Sequence, residues 1–221
     1  QKDVRPLSGT ATANTLGPGS RYEIDATIAD IYLVADDDRS KILGRPTLYV
    51  VVDVFSRMVV GFYIGFHNPS YVVAMQAIVN ACSDKVDLCK MFGIDIQPEQ
   101  WPTIGLPDAI LADRGEMMSH QVERLIYGYN VRIENAPAYR GDAKGIVERY
   151  FGTLQAEFKP YAPGVVKGNR IKKHGESDYR LEAALPITAF TKMIIKTILY
   201  RNQHHVLDTY DREADFLLAA V

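Results

Sequence analysis

The chain is predicted to be an α/β fold, a mixed five-stranded sheet flanked by helices. Residues 21–65 hold three strand-like segments, two of them almost wholly apolar; residues 70–158 then alternate helical and strand periodicity; and no stretch repeats another.

Residues 1–20 carry Gly9, Gly17, Pro18 and Gly19 among Ser, Thr and Ala without periodicity, and are expected to be a linker or N-terminal arm. From Arg21 onward Tyr22, Ile24, Ala26 and Ile28 alternate with Glu23, Asp25 and Thr27, the pattern of a strand with one apolar and one polar face. Asp25 stands in its middle, where acids are uncommon. Asp36, Asp37 and Asp38, beside Arg39 and Lys41, are expected to be a solvated loop. Thr47 to Asp53 and Met58 to Gly65 are two buried strands joined at Phe55-Ser56-Arg57. Asp53 is expected to cap that turn and hold Ser56 or Arg57. These three strands are expected to be adjacent and antiparallel.

Pro69-Ser70 opens a helix predicted to run to about Lys90, with Val72, Met75, Ile78, Val79, Cys82, Val86 and Cys89 as an inward stripe. Gly93 to Pro107, holding Trp101, is a long connection. Asp108 to Ala112 is a short strand that ends at Asp113-Arg114-Gly115, and Ser119 caps a short helix that carries Val122, Leu125 and Ile126 and stops at Gly128. Val131 to Asn135 is the fifth strand. The stretch from Gly141 leads into a helix with Val147, Tyr150, Phe151, Leu154 and Phe158 on its core face, and Asp142 is expected to cap its start. Glu148 falls about 100° around that helix from Val147, on a strip with Lys144, Gly145, Gly152 and Gln155 that has few bulky side chains. A polar segment from Val165 to Arg180 precedes a last amphipathic helix through Ile187, Phe190, Ile194 and Ile198. The expected organisation is an arm (1–20), a core (21–160) and a C-terminal extension with a basic loop and helix (161–221). The sequence starts without methionine and is read as a piece of something larger.

Composition narrows the functional classes. Lysine and arginine number 25 against 27 acids, a formal charge of −2, which is not the balance of a domain held to nucleic acid by bulk electrostatics. No apolar run reaches membrane-spanning length, no signal peptide is expected, and two cysteines suit a reduced, cytoplasmic setting. There is no Walker A or Gly-x-Ser-x-Gly stretch, and His204-His205 has no partner spacing for zinc.

Three acids occupy special places: Asp25 in the first strand, Asp113 after the fourth, and Glu148 on the helix, at intervals of 88 and 35 residues. Singly, Glu148 reads as a solvated helical glutamate and Asp113 as a turn residue. Gathered, three carboxylates repel one another and raise one another's pKa, so the cluster makes sense with cations between them. Oxygen-only ligands suit Mg²⁺ or Mn²⁺, and two such ions about 4 Å apart serve phosphoryl transfer.

Tyr22-Glu-Ile-Asp25-Ala-Thr, Asp53-Val-Phe-Ser-Arg57 with Val59-Val-Gly61, Leu111-Ala-Asp113-Arg-Gly115 and Gly145-Ile-Val-Glu148-Arg resemble the D,D-35-E signature of retroviral-integrase-like DDE transposases, most nearly their TnsB-like branch. The resemblance spans roughly residues 20–160 and implies a ribonuclease H-like fold. It departs at Arg114, where many relatives place Asn. It implies that Asp25, Asp113 and Glu148 are catalytic and hold two Mg²⁺ ions, with Mn²⁺ able to substitute. It also implies cleavage at transposon 3′ ends followed by strand transfer to target DNA, self-association in a synaptic complex, a partner endonuclease, an ATPase regulator and a bacterial, nucleoid-associated setting. Lys144, Arg149, Lys167, Arg170, Lys172 and Lys173 are candidate DNA contacts, beside His174 in a basic loop. A ribonuclease H-like nuclease or integrase of another element, and a non-catalytic DNA-binding scaffold, remain the alternatives. With a charge of −2, the isolated chain is expected to bind transposon-end duplex only weakly and salt-sensitively in gel-shift titration; tight binding at physiological salt would contradict the charge argument.

Overall fold

The period-two run at Tyr22 becomes the central strand of a five-stranded sheet. The structure, a computed structural model, describes residues 15–112, 127–135, 145–166 and 178–204. Its strands are β1 (Tyr22–Ile28), β2 (Leu33–Val34), β3 (Ile42–Gly44), β4 (Thr47–Asp53), β5 (Val59–Gly65), β6 (Ala109–Ala112) and β7 (Arg132–Asn135), and its helices α1 (Tyr71–Cys82), α2 (Lys85–Met91), α3 (Gly145–Phe158) and α4 (Ile187–His204). The sheet runs β5-β4-β1-β6-β7. Its first three strands are antiparallel, while β6 lies parallel to both β1 and β7. This is the mixed, helix-flanked sheet expected of a ribonuclease H-like core. A separate β2–β3 ribbon was not foreseen, because strands of two and three residues carry no readable period.

Each face of the sheet buries its own apolar cluster. Tyr22 and Ile24 of β1 pack with Tyr49, Val51 and the inner side of α1. On the other face Val50 and Val52 of β4 meet Val147, Tyr150, Leu154 and Phe158 of α3, with Phe190, Ile194 and Ile198 of α4 behind them. Directly paired residues in an antiparallel ladder share a face. The pairs Glu23–Val52 and Asp25–Val50 therefore put both acids on the side covered by α3 and α4.

Several expectations are corrected. The helix predicted to reach Lys90 breaks at Ser83-Asp84, because Asp84 accepts hydrogen bonds from the Val86 (2.7 Å) and Asp87 (3.3 Å) amides and starts a new helix. The buried Lys85 seals the break, donating from Nζ to the carbonyls of Asn80, Ala81, Ser83 and Thr103 at 2.6–3.0 Å. With the axis reset, the cysteines no longer share a stripe: Cys89 sits in the α3–α4 cluster, and Cys82 borders the α1 cluster. Val72 and Val79, expected inside, are 61% and 64% exposed, since α1 turns Val73, Ala74, Ala77, Ile78 and Ala81 inward instead. Ile28 ends β1 in solvent. Asp36 is more than a solvated loop acid: it accepts from the amide and hydroxyl of Thr188 at 3.2 and 2.7 Å, capping α4 from a distance. The start of the short helix predicted from Ser119 and the cap at Asp142 lie outside the described residues, while residues 127–129 are helical, one residue beyond the predicted stop at Gly128.

The end of the N-terminal arm is tied down, with Asp108 N donating to Gly19 O and Val54 N to Arg21 O, each at 2.9 Å. Against α1 the sheet needs a glycine: a Cβ on Gly61 would stand 2.6 Å from the Ala81 backbone. Gly61→Ala is expected to cost about 1–3 kcal/mol through overpacking, read as a lower thermal midpoint; an unchanged midpoint would show that α1 can shift freely.

Candidate catalytic site

Asp25 is half-buried at the middle of β1, between β4 and β6. Beside it, Glu23 pairs in parallel register with Leu111 of β6, whose last residue is Ala112. Asp113 is the next residue in sequence after that strand, and it lies outside the described residues. Helix α3 packs across β1 and β4 and brings the third acid. Its buried stripe sets the rotation, so Glu148, one position beyond the fully buried Val147, is exposed.

One hydrogen bond ties the helix start to the strand. Glu23 is only 1% exposed, and its Oε2 accepts from the Val147 amide at 3.3 Å. That amide lies in the first turn of α3, and no intrahelical acceptor for it stands among the described residues. Asp25 and Glu148 thus stand two residues and one residue away from the two ends of a single contact. At the far end of α3, Lys159 Nζ donates to Asp30 Oδ2 at 2.8 Å, and Arg45 binds the other oxygen of Asp30. Glu23 was not singled out from the sequence. An acid alternating with apolar residues reads as the polar face of an edge strand; the available signal was that the central strand of a covered sheet has no solvent face.

Arg57 lies within electrostatic reach of Glu23, and Arg149 within reach of Arg57. Arg57, in a left-handed turn conformation (φ 62°), is half-buried, and burial draws its guanidinium below the ordinary value; Glu23 opposes that fall, Arg149 adds to it, and Asp53 opposes it. Arg149, a candidate DNA contact, is exposed on α3. The other candidates, Lys144, Lys167, Arg170, Lys172 and Lys173, lie outside the described residues.

Asp53 behaves as a turn residue, as expected. Its carboxylate accepts from the Ser56 amide (2.7 Å), the Ser56 hydroxyl (2.6 Å) and the Gly19 amide (2.9 Å). Burial pushes its carboxyl above the usual range, and those donors pull the other way.

Asp25 and Glu148 offer oxygen donors alone, one half-buried and one open to solvent, a set that fits a hard divalent cation. No three His, Cys, Asp or Glu side chains gather among the described residues, and the expected third ligand, Asp113, is not one of those.

The profile of the TnsB C-terminal domain matches residues 23–164. The chain is 68% identical over 216 residues to the transposon Tn7 transposition protein TnsB of Escherichia coli, covering 98% of this chain and 31% of that protein. It is 24% identical over 153 residues to the transposase for transposon Tn552 of Staphylococcus aureus, covering 69% of this chain and 29% of that protein. The chain therefore spans about a third of the length of these relatives. Among solved structures it is similar to the HTLV-2 integrase catalytic core domain in complex with magnesium (dimeric form), at 17% identity and a TM-score of 0.49, covering 90% of this chain and 97% of that one.

Removing the Asp53 carboxylate leaves part-buried donors of the turn and of Gly19 without their acceptor. Asp53→Ala is expected to lower stability by about 1–3 kcal/mol in chemical denaturation; a neutral result would show that water replaces the carboxylate.

Proposed function

Because the chain belongs to the TnsB C-terminal domain family, we propose that it is the catalytic core of a DNA transposase that cleaves transposon 3′ ends and transfers them to target DNA. The observation that carries the reading is the hydrogen bond from Val147 to Glu23, which holds the Glu148 helix against the strand bearing Asp25. The sequence places Asp113 directly after β6, the parallel neighbour of β1.

In this reading Asp25, Asp113 and Glu148 hold two Mg²⁺ ions, which when bound supply activation of the attacking oxygen and neutralisation of charge at the leaving oxygen. The chain's own part is to fix the carboxylates in place before DNA arrives. Asp25 is set by its place in the middle of a strand paired along its whole length with β4, and Glu148 by the burial of Val147 and Phe151 on either side of it. Water is the first nucleophile and the freed DNA 3′-hydroxyl the second, with no covalent protein intermediate. Arg149 and Lys144 flank Glu148 in sequence and are assigned to phosphates near the scissile bond. Lys167, Arg170, Lys172 and Lys173 are assigned to the DNA backbone further out. Self-association in a synaptic complex, a partner endonuclease for the 5′ ends and an ATPase regulator complete the proposal. No helix among the described residues is long and apolar enough to cross a membrane.

The test is joining of a labelled end duplex to plasmid DNA in Mg²⁺. Asp25→Asn, Asp113→Asn and Glu148→Gln are each expected to lower the joining rate by about two orders of magnitude or more, the scale of losing a charge-stabilising group, with DNA affinity retained. Joining at the normal rate by any one of them would remove that residue from the catalytic set. Cleavage without joining in the unaltered protein would favour a nuclease.

A further inference from the structure

We propose that Glu23 is a positioning residue that locks the first turn of α3 and thereby sets Glu148 for divalent-cation binding; the inference rests on the metal-binding reading of Asp25 and Glu148.

A carboxylate that is 1% exposed needs a reason to be in the core. Its cross-strand partner Val52 is apolar and buried, so a hydrocarbon side chain would suit the packing on that face. What a hydrocarbon lacks is an acceptor for the Val147 amide, 3.3 Å from Glu23 Oε2. A carboxylate at a helix start also interacts favourably with the positive end of the helix dipole. Both effects act one peptide before Glu148. The strand side is equally constrained, because Glu23 and Asp25 share one face of β1 with one residue between them. Glu23 therefore couples the backbone carrying one carboxylate ligand to that carrying another. A residue in such a role acts through the ligand it orients, and losing one costs about ten-fold or more in metal affinity.

The variants are Glu23→Met, which keeps the volume and removes the acceptor, and Glu23→Gln, which keeps an acceptor without the charge. Mn²⁺ affinity is measured by titration calorimetry, and exchange of the Val147 amide by NMR. Glu23→Met is expected to weaken Mn²⁺ binding about ten-fold and to speed Val147 exchange while the α4 amides are unaffected; Glu23→Gln is expected to recover most of both. Wild-type Mn²⁺ affinity in a folded Glu23→Met protein would overturn the inference, leaving Glu23 a structural cap. Should Glu23→Met not fold, the unaltered protein decides: slow Val147 exchange supports the lock, and exchange as fast as an open helix end overturns it. Asp25→Asn is the control. If it loses Mn²⁺ while Glu23→Met does not, only the Glu23 inference fails; if it binds Mn²⁺ normally, the metal-binding reading fails with it.

Discussion

Helix α3 is held along β1 by polar contacts at both of its ends, and the position of Glu148 depends on them. At one end Glu23 takes the Val147 amide; at the other Asp30, just past the strand, takes the ammonium of Lys159. The lengths agree: seven residues of extended chain span at most about 23 Å, and twelve residues of helix about 18 Å, with long side chains covering the difference. Between the two anchors lie Leu154 and Phe158, packed over Val50 and Val52. Apolar burial supplies most of the stabilisation but has no direction, so it permits a helix to slide along a sheet. Directional contacts at the two ends remove that freedom.

The opposite face and the free edge of the sheet are secured differently. On the α1 side the constraint is steric, since Gly61 lets the Ala81 backbone approach more closely than any Cβ would allow. Strand β5 is an edge, and side chains close its backbone groups. Asn202 both accepts from the Val59 amide and donates to its carbonyl at 3.0 Å, Trp101 adds a 2.8 Å bond to that carbonyl, and Asn80 accepts from the Phe62 amide at 3.0 Å. A rigid sheet is what a metal site needs beneath it, because carboxylates that repel one another must be kept close by the rest of the fold.

The features legible in the sequence were those with period or pattern. Strands β1, β4 and β5, the apolar stripe of α3 and the turn role of Asp53 followed from alternation, from three-and-four spacing and from turn chemistry. What stayed hidden were polar contacts that form only once the chain has folded. Lys85 looks like a surface lysine until Asn80, Ala81, Ser83 and Thr103 converge on it, and Asp36 looks solvated until the start of α4 arrives. The break at Asp84 did have a local signal, an N-cap residue inside an apolar period, but seven-residue spacing of the cysteines argued for continuity. Glu23 was hidden for a related reason: a strand's polar face reads as exposed unless the helix that covers it is known. In the acidic set, the order and spacing of Asp25, Asp113 and Glu148 were legible, and the described structure adds the strand and the helix that carry the first and third.

The most direct measurement is a crystal structure grown with Mn²⁺ and read from its anomalous signal. The expected result is density between Asp25 and Asp113, with carboxylate oxygens about 2.0–2.2 Å from it and Glu148 facing the same cavity. An empty site at saturating Mn²⁺, or Asp25 and Asp113 on opposite faces of the sheet, would contradict the account.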